Sequence, residues 1–201
     1  ARTKDFYVKR FEEERSLTLH ILVDKSSSMD FGEPKKYDYA AKLGLAIAYM
    51  ASNTDDRFRY SVFSETLTDI SSGRSSGNFG QVVETLNNMR KTPESRIERT
   101  ITEYSSRIKN KSAVIIISDF LTDLEEVEAA VDSLDTETVL VNVFAQEELE
   151  PEYEGDAILM DPESDSRLRT YLSRKTKSDY RQKLDNHTQQ IEEICRANGA
   201  S

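Results

Sequence analysis

The sequence predicts an α/β domain built on a mainly parallel, doubly wound sheet, and three observations carry that prediction. Short apolar runs alternate with helix-spaced apolar stretches from Leu17 to Ala145, the order that strand–helix–strand crossovers require. Residues 113–117 are Ala-Val-Ile-Ile-Ile without a polar break, as expected of a strand covered by helices on both faces. The chain has 201 residues, 37% of them hydrophobic, which is enough for one continuous core. Residues 17–201 therefore read as a single domain behind a charged lead-in, 1–16, in which Lys9 and Arg10 precede Glu12, Glu13 and Glu14.

Residues 17–23 place Leu17, Leu19, Ile21 and Val23 on one face and Thr18, His20 and Leu22 on the other, a strand ending just before Asp24. Pro34 suits a first helical turn, and residues 37–50, rich in Ala and apolar almost all round, read as a buried helix. Residues 57–63 and 67–70 are expected to pair as an edge hairpin across the polar turn 64–66, followed by a Gly/Ser-rich loop over 71–80. Helices are expected over 82–89 and 97–108, the second carrying Ile97, Ile101, Tyr104 and Ile108 on one stripe. After the 113–117 strand, Leu124, Val127, Val131 and Leu134 have helical spacing, and 139–145 is a further buried strand. Two strands, 157–160 and 168–172, and a closing helix marked by Tyr180, Leu184, Ile191 and Ile194 form the last layer of the same domain.

Charge and composition narrow the function. Thirty-seven acidic against 27 basic residues leave a net charge of −10, which repels phosphate backbones and makes nucleic acid a poor partner. Cys195 is the only cysteine, so no intrachain disulfide can form, and a cytoplasmic setting fits. No apolar run approaches the roughly 18 residues of a spanning helix, so no membrane contact is expected from this stretch of chain. Two histidines, His20 and His187, argue against a histidine-rich zinc site.

In an open α/β sheet the ligand lies beyond the carboxyl ends of the strands, and two polar clusters occur there. One is Asp24-Lys25-Ser26-Ser27-Ser28, a carboxylate followed by hydroxyls at alternate positions; the other is Asp119, at the end of the most apolar strand. Taken alone, the first reads as a capped turn. Together the two offer only oxygen donors, which suit a hard cation such as Mg²⁺.

These residues resemble a known pattern. Asp24-Lys25-Ser26-Ser27-Ser28-Met29 is similar to the metal-ion-dependent adhesion site of von Willebrand factor A domains, and Ile115-Ile116-Ile117-Ser118-Asp119 to the strand that carries that site's distal aspartate. A narrower resemblance covers nearly the whole chain. Ala1-Arg2, residues 7–14, residues 24–32 with Lys35, and a closing segment with Ile158 to Asp161, Tyr180, Leu184 and the region of Cys195 resemble the prokaryotic family known as domain of unknown function fifty-eight.

The resemblance implies a von Willebrand factor A three-layer sandwich with an antiparallel edge strand. It also implies a site where Ser26 and Ser28 bind Mg²⁺ or Mn²⁺ directly while Asp24 and Asp119 hold metal-bound waters. In the third loop, Thr92-Pro93-Glu94-Ser95-Arg96-Ile97 stands where the family has a Gly-Gly-Thr-Asp-like turn; Ser95 takes the threonine's place, with Thr92 as second choice. The implied function is recognition rather than turnover, in which the cation bridges this acidic domain to an Asp or Glu of a protein partner. A MoxR-type AAA+ ATPase is the partner the family association suggests. Members often carry an amino-terminal membrane hairpin, so a cytoplasmic domain tethered by a segment outside this chain is expected, with Ala1 the start of a fragment.

The enzymatic alternative is an α/β hydrolase using Ser75 and His187. Gly73-Arg74-Ser75-Ser76-Gly77 satisfies Gly-x-Ser-x-Gly, but it lies in a polar loop after a weak strand, and His187 falls mid-helix among polar residues, where exposure is expected. A phosphatase built on Asp24 would want a second aspartate where Ser26 stands, and no Gly-x-x-x-x-Gly-Lys or Gly-x-Gly-x-x-Gly loop occurs for phosphates.

Overall fold

The computed structural model describes residues 17–54, 56–74, 79–89, 95–109, 111–160 and 167–201. Five strands form one sheet in the order β3-β2-β1-β4-β5: β1 (Thr18–Asp24), β2 (Arg57–Phe63), β3 (Leu67–Gly73), β4 (Ser112–Ser118) and β5 (Glu137–Asn142). β1 is central and runs parallel to β2 and β4, β5 is parallel to β4, and β3 is the antiparallel edge. The architecture is thus the mainly parallel α/β sheet with one antiparallel edge strand that the sequence predicts.

Alternation along β1 divides the core in two. Ile21 and Val23 face α1 (Lys36–Asn53) and α2 (Phe79–Asn87), joined by Tyr60, Val62 and the alanines of α1. Leu22 faces the other layer, built from α3 (Ile97–Ser105), α4 (Leu124–Asp132) and α6 (Arg174–Ala197), and packs with Ile97, Ile101, Val114, Ile116 and Ile191. Ile21, Leu22 and Val23 are fully buried, each such side chain contributing roughly 1.5–3 kcal/mol.

α1 lies close on the sheet because its inner face is small. A Cβ at Gly44 would stand 2.8 Å from Tyr60 Cε2 and 3.1 Å from both Ile21 Cγ2 and Val23 Cγ2. Tyr60 cannot easily yield, since its hydroxyl donates to the Ala41 carbonyl at 3.1 Å. α6 begins where the Ser173 hydroxyl accepts the Thr176 N–H at 3.1 Å, which satisfies one otherwise orphaned helix-start donor.

Several boundaries differ from the sequence reading. β3 runs on through Gly73, because pairing of Ser71, Ser72 and Gly73 with β2 overrides their loop-like composition. β5 starts at Glu137 and ends at Asn142, short of the expected Ala145, and a short helix α5 (Gln146–Leu149) follows. α1 begins at Lys36, two residues beyond Pro34. Among the described residues, β6 (Gly155–Met160) and β7 (Arg167–Leu172) pair only with each other, giving a five-stranded sheet plus a separate hairpin. Along the outer edge of β5, the Ser201 N–H donates to Thr138 O at 3.0 Å and its carbonyl accepts the Leu140 N–H at 2.8 Å. No described helix is long and apolar enough to cross a membrane.

Candidate functional site

Parallel registration of β1 with β4, Val23 against Ile117, brings both strand ends to one place. Asp24 closes β1, Ser118 closes β4, and Asp119 follows it. Asp24 and Asp119 are 1% and 3% exposed, so neither carboxylate is solvated in the ordinary way.

Asp24 is held by hydroxyl and amide donors. Its Oδ1 accepts the Ser26 N–H at 2.8 Å, and its Oδ2 accepts the Ser118 hydroxyl at 2.7 Å and the Ser95 hydroxyl at 3.3 Å. Burial first, and the charge of Asp119 second, push the Asp24 carboxyl up to about 6, against the pull of the Ser26 and Ser118 hydrogen bonds. After Ser26 the chain enters a 3₁₀ turn over Ser27–Asp30, and the Ser26 and Ser28 hydroxyls meet at 3.0 Å. Asp24, Ser26, Ser28, Ser95 and Asp119 are therefore brought together by three different loops. Thr92 and Ser75 lie outside the described residues.

Sequence reasoning missed a cation. Lys36, the first residue of α1 and 2% exposed, sends its ammonium to Asp119 Oδ2 at 2.8 Å and to Glu148 Oε1 at 2.5 Å. The other Glu148 oxygen accepts the Ala145 N–H at 2.8 Å, which fixes that carboxylate at the start of α5. Burial pulls the lysine down, but Asp119 and Glu148 outweigh it and hold the ammonium above its ordinary range. No local signal marks Lys36, since a lysine opening a helix is usually solvated and its partners lie 83 and 112 residues away.

The Asp119 loop is held tightly. Asp119 Oδ1 accepts the Leu121 N–H at 3.3 Å, and Phe120 adopts φ 49, the left-handed region that a bulky residue seldom enters. The ring of Phe120 is buried in the core, the Ser118 hydroxyl accepts its N–H at 3.1 Å, and His187 Nε2 donates to its carbonyl at 2.8 Å. Such a conformation costs about 1–3 kcal/mol and persists only where its surroundings fix it. His187 is thus half-buried rather than exposed as expected, because α6 lays it against this loop.

Asp119 and Glu148 face the Lys36 ammonium, while Asp24 is held by the Ser26, Ser95 and Ser118 donors beside the serine hydroxyls. Among the described residues no three His, Cys, Asp or Glu side chains stand together as a metal site, so a cation at this pole depends on hydroxyl oxygens. Ligands at right angles around an octahedral Mg²⁺, at about 2.0–2.1 Å from it, stand about 2.9 Å apart. The Ser26 and Ser28 oxygens, 3.0 Å apart, meet that spacing, and hard oxygen donors over buried carboxylates fit the ion chemically.

A sequence model of the family described as protein of unknown function DUF58 matches residues 1–190. No curated protein matches the sequence. Among solved structures, an aerotolerance-related membrane protein from Bacteroides fragilis superposes with a TM-score of 0.53 at 12% identity, covering 89% of this chain and 100% of that one. The manganese-loaded TRAP protein of Plasmodium vivax superposes with a TM-score of 0.50 at 14% identity, covering 65% of this chain and 59% of that one. The VWA domain of SpRpn10 aligns with a TM-score of 0.40 at 14% identity, over 64% of this chain and 88% of that one. At these identities the likeness is one of fold: a mixed α/β domain on a mostly parallel sheet, with von Willebrand factor A domains among its neighbours.

Proposed function

The chain belongs to the DUF58 family, and we propose that it is a cation-dependent protein-interaction module rather than an enzyme. The observation that carries this reading is the Ser26–Ser28 hydroxyl pair, at octahedral spacing, set directly beyond two buried carboxylates of which, among the described residues, only Asp119 has an ammonium partner. Ser26 and Ser28 would bind Mg²⁺ or Mn²⁺ directly, Asp24 and Asp119 would orient its waters, and Ser95 would complete the shell from the third loop. When bound, the cation supplies an electrophilic position for an Asp or Glu side chain of a partner protein. Asp24 keeps Ser26 in place through the Ser26 N–H, and Lys36 and Leu121 orient Asp119. The manganese carried by the Plasmodium vivax neighbour is a precedent for a divalent ion on this fold.

The partner we favour is a MoxR-type AAA+ ATPase, on family association, with the domain cytoplasmic and tethered to the membrane by a segment outside this chain. His187 is engaged with a backbone carbonyl, and no observation among the described residues favours the hydrolase reading.

Calorimetric titration of Mg²⁺ and Mn²⁺ into the wild type, Ser26→Ala and Asp24→Ala tests the site. Heat is expected from the wild type only, with the fold of each variant checked by circular dichroism. Equal heats from all three, or none from the wild type, would reject the proposal. Pull-down of the partner from lysate should fail with EDTA and with Ser26→Ala; retention under both would place the interface elsewhere.

A further inference from the structure

At the opposite pole, where β1, β2 and β4 begin, a groove of about 430 Å³ opens between the loop after α3 and the end of β3. Among the described residues it is lined by Arg57, Arg59, Arg74, Arg107 and Lys109 and by no Asp or Glu. In a chain with 37 acidic against 27 basic residues, that local inversion of charge calls for a physical account.

The groove exists because α3 stops early. Its last turn places Tyr104 over the sheet, where the hydroxyl meets His20 Nδ1 at 2.7 Å. Beyond that seal, no helix among the described residues covers the same face of the sheet. Arg57 and Arg59 alternate with buried Phe58 and Tyr60 along β2, so both stand on this open face, beside Thr18 and His20 of β1. The chain leaving α3 brings Arg107 and Lys109 to the rim. Arg107 meets Asp69 at 3.3 Å, whereas Arg57, Arg59 and Lys109 have no carboxylate partner among the described residues. Guanidinium forks of this kind recognise carboxylates and phosphates in two-point contacts.

Spacing selects between those anions. Two residues apart along a strand, Arg57 and Arg59 repeat at about 6.7 Å, the same repeat as alternate side chains of another extended polypeptide. The phosphates of a small polyphosphate, joined through single oxygens, are packed more closely than that. A long nucleic acid would also meet the repulsion of a −10 domain, which a short segment with a few carboxylates largely avoids. We infer that this groove binds an extended acidic segment of a partner protein, with Asp or Glu side chains at alternate positions. It is independent of the cation site, which lies about 20 Å away at the other end of the seven-residue β1.

Fluorescence anisotropy of a labelled octapeptide alternating Glu and Thr, titrated with the 201-residue chain, tests the inference. Binding is expected to weaken about tenfold or more in the double variant Arg57→Glu/Arg59→Glu and to fall steeply with salt. It should be untouched by EDTA and by Ser26→Ala, which separates this groove from the cation site. Both arginines are exposed, and an unchanged melting curve would confirm that the double variant folds. No binding by the wild type, or equal binding by the double variant, would overturn the inference. So would displacement of the labelled peptide by tripolyphosphate more readily than by unlabelled peptide, which would make the groove a small-polyanion site. Self-association of the wild type that the double variant abolishes would assign the groove to a second copy and overturn it likewise.

Discussion

The Lys36 ammonium and the Asp119 carboxylate meet at 2.8 Å across 83 residues of sequence, each side chain almost sealed from solvent. The contact ties the start of α1 to the end of β4, and through Glu148 to α5, so that one internal cation organises three segments around the candidate site. A buried pair of this kind is worth little relative to an apolar replacement, yet breaking it from one side is costly.

Lys36→Met is expected to lower unfolding free energy by about 3–5 kcal/mol, because Asp119 and Glu148 are left buried without a counter-ion. Urea denaturation in EDTA measures it. Added Mg²⁺ should recover part of the loss in Lys36→Met but not in Lys36→Met/Ser26→Ala. Recovery in both would show that the ion acts without the serine pair.

His20 sets a pH dependence. Burial first, with Arg59 adding to it and Asp69 opposing, lowers its pKa from 6.5 to about 4. The unfolded chain then binds more protons than the folded one between those values. Stability from this group is full above pH 6.5 and is lost progressively as pH falls toward 4, by up to about 3 kcal/mol. Urea midpoints at several pH values in that window should drop more steeply for the wild type than for His20→Gln. Parallel slopes would remove His20 as the cause.

Gly44→Ala should destabilise, although alanine favours helix by about 1 kcal/mol. The added methyl stands 2.8 Å from Tyr60, a distance real Cβ atoms essentially never show, and tightly against Ile21 and Val23 at 3.1 Å, and overpacking of this kind costs roughly 1–3 kcal/mol. Thermal melts should place Gly44→Ala below the wild type and Gly44→Val lower still. A melting point raised by the alanine would mean that α1 can shift outward without penalty.

The sheet was legible where burial and pattern agree. Leu17 to Val23 alternates, and Ala113 to Ile117 is wholly apolar, because the one strand is sorted between two cores and the other is covered on both faces. Boundaries failed where backbone pairing outweighs composition. Ser71 to Gly73 look like loop yet extend β3, and Glu137 with Thr138 open β5 although neither is apolar, Thr138 burying its hydroxyl on the Thr136 carbonyl at 3.0 Å. At the site, Asp24, Ser26, Ser28 and Asp119 were visible because they sit at strand ends with regular spacing. Lys36, Glu148 and His187 were not, since each acts across long sequence separations from positions whose neighbours read as ordinary helix surface.

The backbone bonds from Ser201 to Thr138 and Leu140 leave the sheet's two borders unequal. Among the described residues, β5 is shielded along its outer side, while β3 has β2 on one flank and no strand on the other. A layer that can grow from both borders can polymerise; one that can grow from a single border can join one like layer and must then stop. Among the described residues the main sheet thus presents one open border, at β3, and strand addition there would join two sheets rather than build a fibre.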